Sequence, residues 1–226
     1  MEQVETLVFN GYTATVIRPE NPNGNWIWKT EFLYAFDQAE RALLEQGYTR
    51  VYYQISDKYG SPSAVQLMEK FYHFVIDKFN LNKKCVLFGF SRGGLYAFNF
   101  AVAYPEFVDK VYLDAPVLDL KTWPRSDSAE QLQMLEEYGL TREALVSFHG
   151  NPIDKLDLFF TLGIPLMVIA GGQDEIVSFK ENAGLLIKYC KEKGIEIVSI
   201  IKENGLHHPH SLENIQPILQ FVMGDI

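Results

Sequence analysis

The chain has 226 residues, of which 47% are hydrophobic and 14% aromatic, and its 20 Lys and Arg face 29 Asp and Glu for a net charge of −9. This length and composition predict one globular domain with a large core, and they exclude disordered and fibrous proteins. The acidic balance opposes a phosphate backbone or an anionic membrane surface, so we expect neither nucleic acid nor a membrane as a partner.

The first part of the chain alternates between β-rich and helical segments. Asn10-Gly11 is a strong hairpin signal between two β-rich runs. Gly47 follows a stretch with helical spacing of apolar residues and is typical of a helix end. The predicted elements are strands at 6–9, 12–17 and 26–28, a helix at 32–46, a strand at 49–55 and a helix at 64–79.

The rest of the chain repeats strand and helix more regularly. The predicted strands are 84–88, 110–113, 166–170 and 195–201, and the predicted helices are 92–103, 181–193 and 212–223. Helices between strands that are apolar on both faces are typical of a covered parallel sheet. We therefore predict the α/β class, with a mostly parallel sheet of about eight strands and helices on both faces.

One long interval, 117–162, interrupts this alternation. It contains two short helical stretches, 129–138 and 142–147, and enough Leu and aromatic residues to be ordered. Insertions of this length are commonly lids or binding elements. We predict a single domain over 1–226 with a lid inserted at about 117–162.

The cysteines and the N-terminus indicate the cellular location of the protein. Cys85 and Cys190 are far apart in the sequence and predict reduced, buried thiols rather than a disulfide framework. The N-terminus carries acids where a signal peptide needs bases, and no stretch approaches the roughly 18 apolar residues of a membrane span. These observations predict a cytoplasmic protein.

Residues 89–93 form a Gly-x-Ser-x-Gly pentapeptide around Ser91. The pentapeptide follows an apolar strand and opens a helix, which is the setting of a nucleophile elbow. In that turn the serine adopts a strained backbone conformation, and the glycines avoid side-chain collisions. Ser91 is the candidate nucleophile.

A serine nucleophile requires a base and an acid that orients the base. Asp174 follows the strand predicted at 166–170, and Asp114, at the end of another strand, is the alternative acid. His207 follows the last strand and is the candidate base, with His208 as the alternative. The order Ser, acid, His is that of an α/β-hydrolase.

The His207-His208-Pro209-His210 cluster also raises the question of a metal. No Cys accompanies it, and Glu203 and Glu213 lack a recognisable ligand spacing. We therefore predict no metal and no cofactor. His210 is expected to cap the helix predicted from Leu212.

An acyl-transfer site also requires donors to the developing oxyanion. The N–H of Arg92 is one candidate, and Trp28 or Lys29, near the end of the third strand, is the other. Three further residues are predicted on solvent-exposed loops near the mouth of the pocket, where they either contact substrate or have no role: Asp57, Tyr59 and Trp123.

These residues resemble the α/β-hydrolase superfamily over essentially the whole chain. The chain is most similar to a group of poorly characterised bacterial hydrolases with five shared segments, here 26–29, 91–94, 114–117, 121–124 and 207–212. The resemblance implies a Ser-Asp-His hydrolase and suggests carbohydrate esters or related small esters as substrates. Arg125-Ser126-Asp127 replaces the Gly-rich turn expected in the lid, so lid conformation and substrate choice stay open.

The leading hypothesis is a serine hydrolase that cleaves a small carboxylic ester through an acyl-enzyme. A peptidase or thioesterase with the same three residues is the first alternative. A hydrolase fold that only binds a ligand is the second. The sequence does not predict the oligomeric state.

Overall fold

A mixed sheet forms the centre of the molecule, and the computed structural model describes residues 2–224. Within these residues the sheet has eight strands in the order β1-β2-β4-β3-β5-β6-β7-β8. The strands are β1 (Gln3–Phe9), β2 (Tyr12–Arg18), β3 (Trp26–Lys29), β4 (Thr49–Tyr53), β5 (Cys85–Phe90), β6 (Val108–Asp114), β7 (Leu166–Gly171) and β8 (Val198–Lys202).

The strand directions agree with the prediction. β1 pairs antiparallel with β2, and β2 pairs antiparallel with β4, whereas all other neighbours are parallel. Asn10 and Gly11 both have positive φ, which is the conformation that a tight hairpin with right-handed twist requires. The parallel strands place their carboxyl ends at one edge of the sheet.

Helices cover both faces of this sheet. They are α1 (Gln38–Glu45), α2 (Pro62–Phe79), α3 (Gly93–Ala103), α4 (Ala129–Tyr138), α5 (Arg142–Val146), α6 (Leu156–Thr161), α7 (Ala183–Lys193) and α8 (Gln216–Met223). Along β5, Cys85 and Leu87 belong to the larger core under α2, α3 and α7, and Val86 and Phe88 belong to the core under α1 and α8. Both faces of the central strands are therefore buried, as the sequence predicts.

The helix predicted over 32–46 is wrong in its first part, because α1 begins only at Gln38. Phe32 and Phe36 have φ of +59° and +51°, which a right-handed helix does not allow. The Lys29 ammonium donates a hydrogen bond to the carbonyl of Ala35 (3.1 Å). Tertiary contacts thus hold this stretch, the 30–37 loop, in a non-helical course.

The last helix also begins later than predicted, at Gln216 instead of 212. His210 therefore does not cap it. The residues between β8 and α8 form a long loop, and His210 is buried within it. Among the described residues, none of the helices combines the length and apolar character needed to cross a membrane.

The interval 117–162 contains two structurally different parts. α4 rests on the turn after β4, where the Tyr138 hydroxyl donates to the carbonyl of Tyr59 (2.9 Å). α6 instead packs on α3, with the rings of Phe159 and Phe98 stacked at 4.7 Å. α6 thus belongs to the helical layer over the sheet, and the part that resembles a lid is centred on α4 and α5.

Candidate active site

The Gly-x-Ser-x-Gly residues form a sharp turn between β5 and α3. Ser91 has φ of +50°, a left-handed conformation that costs energy for a non-glycine residue. A Cβ on Gly89 would lie 2.9 Å from the Cβ of Ala97, and one on Gly93 would lie 2.9 Å from Oγ1 of Thr30. Only glycine fits at these two positions, so the turn is built as the sequence pattern predicts.

Ser91, His207 and Asp174 lie within one chain of hydrogen bonds. The Ser91 hydroxyl is 3.0 Å from Nε2 of His207, and Nδ1 of His207 is 2.6 Å from Oδ2 of Asp174. All three residues are at least 92% buried, because they are 8%, 4% and 5% exposed in that order. An ionised carboxylate only accepts hydrogen bonds, so His207 carries its proton on Nδ1 and presents the Nε2 lone pair to the Ser91 hydroxyl.

Asp174 is fixed by the loop that follows β7. Its Oδ1 accepts hydrogen bonds from the N–H groups of Ile176 (2.9 Å) and Val177 (3.0 Å). These bonds occupy one oxygen and leave Oδ2 directed at His207. The neighbouring Glu175 is exposed, as predicted.

The alternative acid and base stand apart from this chain of bonds. Asp114 is fully buried, and its Oδ1 is 2.8 Å from Nδ1 of His210 instead. His208 is exposed and stacks on Phe36 at 5.7 Å. The site thus holds two histidine–carboxylate pairs, and the His207 pair is the one that reaches the Ser91 hydroxyl.

The three histidines place ring nitrogens within 4.8 Å of one another, which is close enough to consider a metal ion. Both nitrogens of His207 are engaged, by Asp174 and Ser91, and Nδ1 of His210 is engaged by Asp114. A metal that used all three histidines would have to take His207 away from a carboxylate or from Ser91. The cluster therefore fits two hydrogen-bonded pairs better than a metal centre.

The predicted second oxyanion donor is misplaced. Trp28 and Lys29 both lie inside β3, between β4 and β5, so their N–H groups belong to the sheet. The next N–H, of Thr30, donates to the carbonyl of Phe88 (3.0 Å). The first residue of the 30–37 loop is thus still bonded to β5, and Glu31 is the first residue beyond this bond.

The Lys29 side chain is also buried, on the α1 face of the sheet. Its ammonium forms an ion pair with Glu40 and lies 3.5 Å from the centre of the Phe90 ring. Lys29 and Glu40 are 1% and 0% exposed. Burial lowers the pKa of Lys29, and the Glu40 carboxylate opposes that shift. The Lys29 side chain thus packs against Phe90, the residue directly before Ser91, on the α1 face of the sheet.

Glu31 is a site residue that sequence reasoning missed. Its buried carboxylate accepts hydrogen bonds from the Ser56 hydroxyl (3.0 Å) and the Arg92 guanidinium (3.4 Å). Burial raises the pKa of Glu31, although Arg92 opposes the shift. Glu31 anchors the Arg92 side chain beside Ser91. A single Glu before a predicted helix carries no sequence signal for such a role.

The predicted substrate-contacting residues lie in three different settings. Trp123 lines a cavity of about 840 Å³ in the lid, together with Ile176, which donates its N–H to Asp174. Tyr59 is 1% exposed and packs on Trp123 with ring centres 6.4 Å apart, so its prediction as an exposed loop residue is wrong. Asp57 is exposed and accepts a hydrogen bond from Tyr12 (3.3 Å).

α4 is tied to the turn after β4 by Glu137. The carboxylate of Glu137 pairs with Lys58 (2.8 Å) and accepts hydrogen bonds from Ser61 (2.7 Å) and Ser63. Burial raises the pKa of Glu137, but the bonds from Lys58, Ser63 and Ser61 outweigh burial and lower it overall. The ionised carboxylate therefore stabilises the packing of α4 on this turn.

Glu137→Gln is expected to destabilise the protein by about 1 kcal/mol at pH 7. Because the folded-state pKa lies below the ordinary 4.5, this contribution is present above pH 4.5 and is lost as the pH falls through the lowered pKa. Thermal unfolding against pH measures the difference, with Glu136→Gln on the exposed neighbouring residue as the control. A deficit that stays the same at pH 7 and at pH 3 would contradict this account.

The fold and the site together define a serine hydrolase with the α/β-hydrolase fold. The chain belongs to the prolyl oligopeptidase family, whose sequence model matches residues 45–223. None of the curated proteins matches the chain.

Solved structures with the same fold come from both esterases and peptidases. The chain is similar to S-formylglutathione hydrolase of Staphylococcus aureus, with a TM-score of 0.73 and 15% identity over 99% of this chain and 98% of that one. It is similar to a puromycin-hydrolyzing peptidase of Mycobacterium tuberculosis, with a TM-score of 0.71 and 12% identity over 99% of this chain. The chain spans only 38% of that peptidase. At these identities the similarity establishes the fold alone.

Proposed function

We propose that this hydrolase cleaves a small carboxylic ester through a covalent acyl-enzyme. Ser91 attacks the acyl carbonyl while Nε2 of His207 takes the hydroxyl proton. His207 then returns that proton to the leaving alcohol, and a water molecule, activated in the same way, releases the acid. Asp174 holds the imidazole in the required tautomer and stabilises the imidazolium.

The observation that carries this proposal is the buried chain of hydrogen bonds from Ser91 through His207 to Asp174, with lengths of 3.0 and 2.6 Å. A Ser–His contact within hydrogen-bonding reach, with the base oriented by a third group, is the arrangement that activates a serine. It stands on three separate loops at the carboxyl edge of the sheet, where such folds collect their functional groups.

The developing oxyanion needs two donors near Ser91. The N–H of Arg92, at the start of the helix after the elbow, supplies one. The 30–37 loop supplies the other, from Glu31 or Phe32. The backbone of Glu31 approaches the elbow closely, because its nitrogen lies 3.5 Å from where a Cβ on Gly93 would stand.

The lid cavity is the proposed substrate pocket. It combines the Trp123 ring with apolar side chains and with charged residues of both signs, among them Arg125 and Glu130. An aromatic surface beside polar groups suits a hydroxylated leaving group, which supports a carbohydrate ester. The segments at 121–124 and 207–212 that resemble bacterial hydrolases support the same substrate class. A free sugar ester of this kind is consistent with the predicted cytoplasmic location.

A second candidate function is peptide hydrolysis with the same three residues. The match of residues 45–223 to the prolyl oligopeptidase family favours it. The chemistry at Ser91 would be the same, with an amine in place of the alcohol as leaving group. Thioester hydrolysis and ligand binding without turnover are the remaining alternatives.

The substrate class is tested by measuring kcat/KM on four substrates side by side: an acetylated sugar, a short-chain chromogenic ester, an acyl thioester and an aminoacyl anilide. We expect turnover of the esters to exceed that of the anilide. We also expect Ser91→Ala to lower ester turnover by about 10⁴-fold or more, because the nucleophile is lost.

Each alternative has its own outcome in this panel. Faster turnover of the aminoacyl anilide than of the esters would assign the protein as a peptidase. Faster turnover of the thioester would assign it as a thioesterase. Equal ester turnover by the wild type and Ser91→Ala would overturn the proposal altogether.

A further inference from the structure

A second histidine–carboxylate pair lies directly beside the first and has no role in the chemistry proposed above. Nδ1 of His210 donates to Oδ1 of Asp114 at 2.8 Å. Their side chains are 3% and 0% exposed. Burial of a carboxylate costs free energy unless several hydrogen bonds satisfy it. The position of Asp114 beside the site therefore needs a physical reason.

Asp114 contacts both halves of the site through different atoms. Its main-chain carbonyl accepts the N–H of Ser91 (2.9 Å), which fixes the elbow. Its carboxylate accepts the N–H of Ser211 (2.7 Å) and the bond from His210, which fixes the far end of the loop that carries His207. One residue at the end of β6 thus connects the turn at Ser91 with the loop between β8 and α8. We call this loop, residues 203–215, the histidine loop.

The His210 ring fills the space between these two parts. It lies 4.9 Å from the His207 ring at an interplanar angle of 77° and 5.4 Å from the Phe90 ring. Phe90 directly precedes Ser91 in the chain. The His210 ring thus contacts both His207 and the residue before Ser91, and its orientation is fixed by Asp114.

The other contacts of the histidine loop reach different strands. The Lys202 ammonium donates to the carbonyls of Pro209 (2.6 Å) and Ser211 (3.3 Å), and the N–H of Gln173 donates to the carbonyl of Gly205 (2.9 Å). These bonds join the loop to β8 and to the end of β7. Among these hydrogen bonds, those to Asp114 are the ones that join the loop to β6, the strand paired with β5.

We propose that Asp114, acting through His210 and Ser211, is the positioning residue that sets the distance between Ser91 and His207. The inference rests on the proposed roles of those two residues. Displacing a reacting group by about 1 Å can cost about 100-fold in rate, so an anchor shared by nucleophile and base has a large effect without touching substrate.

Asp114→Asn tests the inference, since Asn keeps the shape of the side chain but replaces one acceptor oxygen by an NH₂ group. That group faces the N–H donor of Ser211 or of His210 and cannot accept its hydrogen bond. We expect kcat to fall by about 10- to 100-fold while KM stays within about threefold. The downfield NMR signal of the proton between His207 and Asp174 should also broaden or shift. A residue that only stabilises the fold would lower the melting temperature and leave kcat below that temperature unchanged.

Tyr112→Phe is the matched control. The Tyr112 hydroxyl donates to the same carboxylate (2.6 Å), but its removal leaves the bonds of Asp114 to His210 and Ser211 in place. We expect its kcat to stay within about threefold of the wild type. If Asp114→Asn does not fold, His210→Asn replaces it. That variant keeps a donor toward Asp114 and removes the outer ring atoms, and we expect it to lower kcat by about 10-fold.

Ser91→Ala separates the two claims. If Ser91→Ala is inactive but a folded Asp114→Asn, or His210→Asn in its place, retains kcat within twofold of the wild type, the positioning role is overturned and the proposed function stands. If Tyr112→Phe loses as much kcat as Asp114→Asn, the positioning role is also overturned. The loss of kcat would then not depend on the bonds from Asp114 to the histidine loop. If Ser91→Ala is as active as the wild type, the proposed function itself fails.

Discussion

His207→Gln is expected to lower kcat/KM for the preferred ester by at least about 10⁴-fold, because the group hydrogen-bonded to the Ser91 hydroxyl is lost as its base. His208→Gln is expected to cost less than about tenfold, because His208 is exposed and contacts His207 and Phe36 through its ring rather than through a hydrogen bond to Ser91. The two histidines are adjacent in the sequence, so the pair of variants is closely matched. Steady-state kinetics on one ester measures both.

The comparison decides between two bases that the sequence leaves open. Ser91 lies 3.0 Å from Nε2 of His207, and the other nitrogen of His207 is held by Asp174. A larger loss for His208→Gln than for His207→Gln would contradict this arrangement. It would mean that the histidine loop changes its conformation when substrate binds.

Lys29→Met is expected to lower the free energy of unfolding by about 3–5 kcal/mol, because it leaves the buried carboxylate of Glu40 without its counterion. The double variant Lys29→Met/Glu40→Leu should recover most of this loss, since two apolar side chains of similar size replace the pair. Urea unfolding at pH 7 measures the three free energies.

The exposed pair Lys188–Glu192 provides the control for this prediction. Its side chains are 68% and 64% exposed, and they lie 3.8 Å apart on α7. Lys188→Met should change the free energy of unfolding by less than about 0.5 kcal/mol. Equal losses in the single and double variants at positions 29 and 40 would contradict the account, since they would show that the packing of Lys29, and not its charge, is what matters.

Local patterns in the sequence predict the scaffold and the elbow well. The residues 89–93 require glycine at two crowded positions and a serine at positive φ, and all three requirements arise within a few residues of the chain. The alternation of apolar strands and helices likewise predicts the parallel sheet. Such features depend on near neighbours, which is why sequence reasoning finds them.

The 30–37 loop shows where this reasoning fails. Its apolar spacing favours a helix, but Phe36 packs against His210, a residue far away in the sequence. Lys29 and Arg50 hold carbonyls of the same loop. These contacts between distant residues override local propensity, so neither the start of α1 nor the position of the second oxyanion donor could be predicted.

The second carboxylate–histidine pair was hidden for a similar reason. The sequence made Asp114 the alternative acid and predicted that His210 caps a helix, and nothing indicated that the two residues bond to each other across the sheet edge. The assignment of Asp174 to His207 depended on chain order. The partner of Asp114 depended on the three-dimensional course of the histidine loop.

The activation of Ser91 is tested most directly by the mass of the intact protein after incubation with a fluorophosphonate. We expect one phosphonyl group per chain, located on the peptide that contains Ser91. Ser91→Ala should remain unlabelled, and His207→Gln should be labelled far more slowly than the wild type. Equal labelling of the wild type and Ser91→Ala would contradict the central claim.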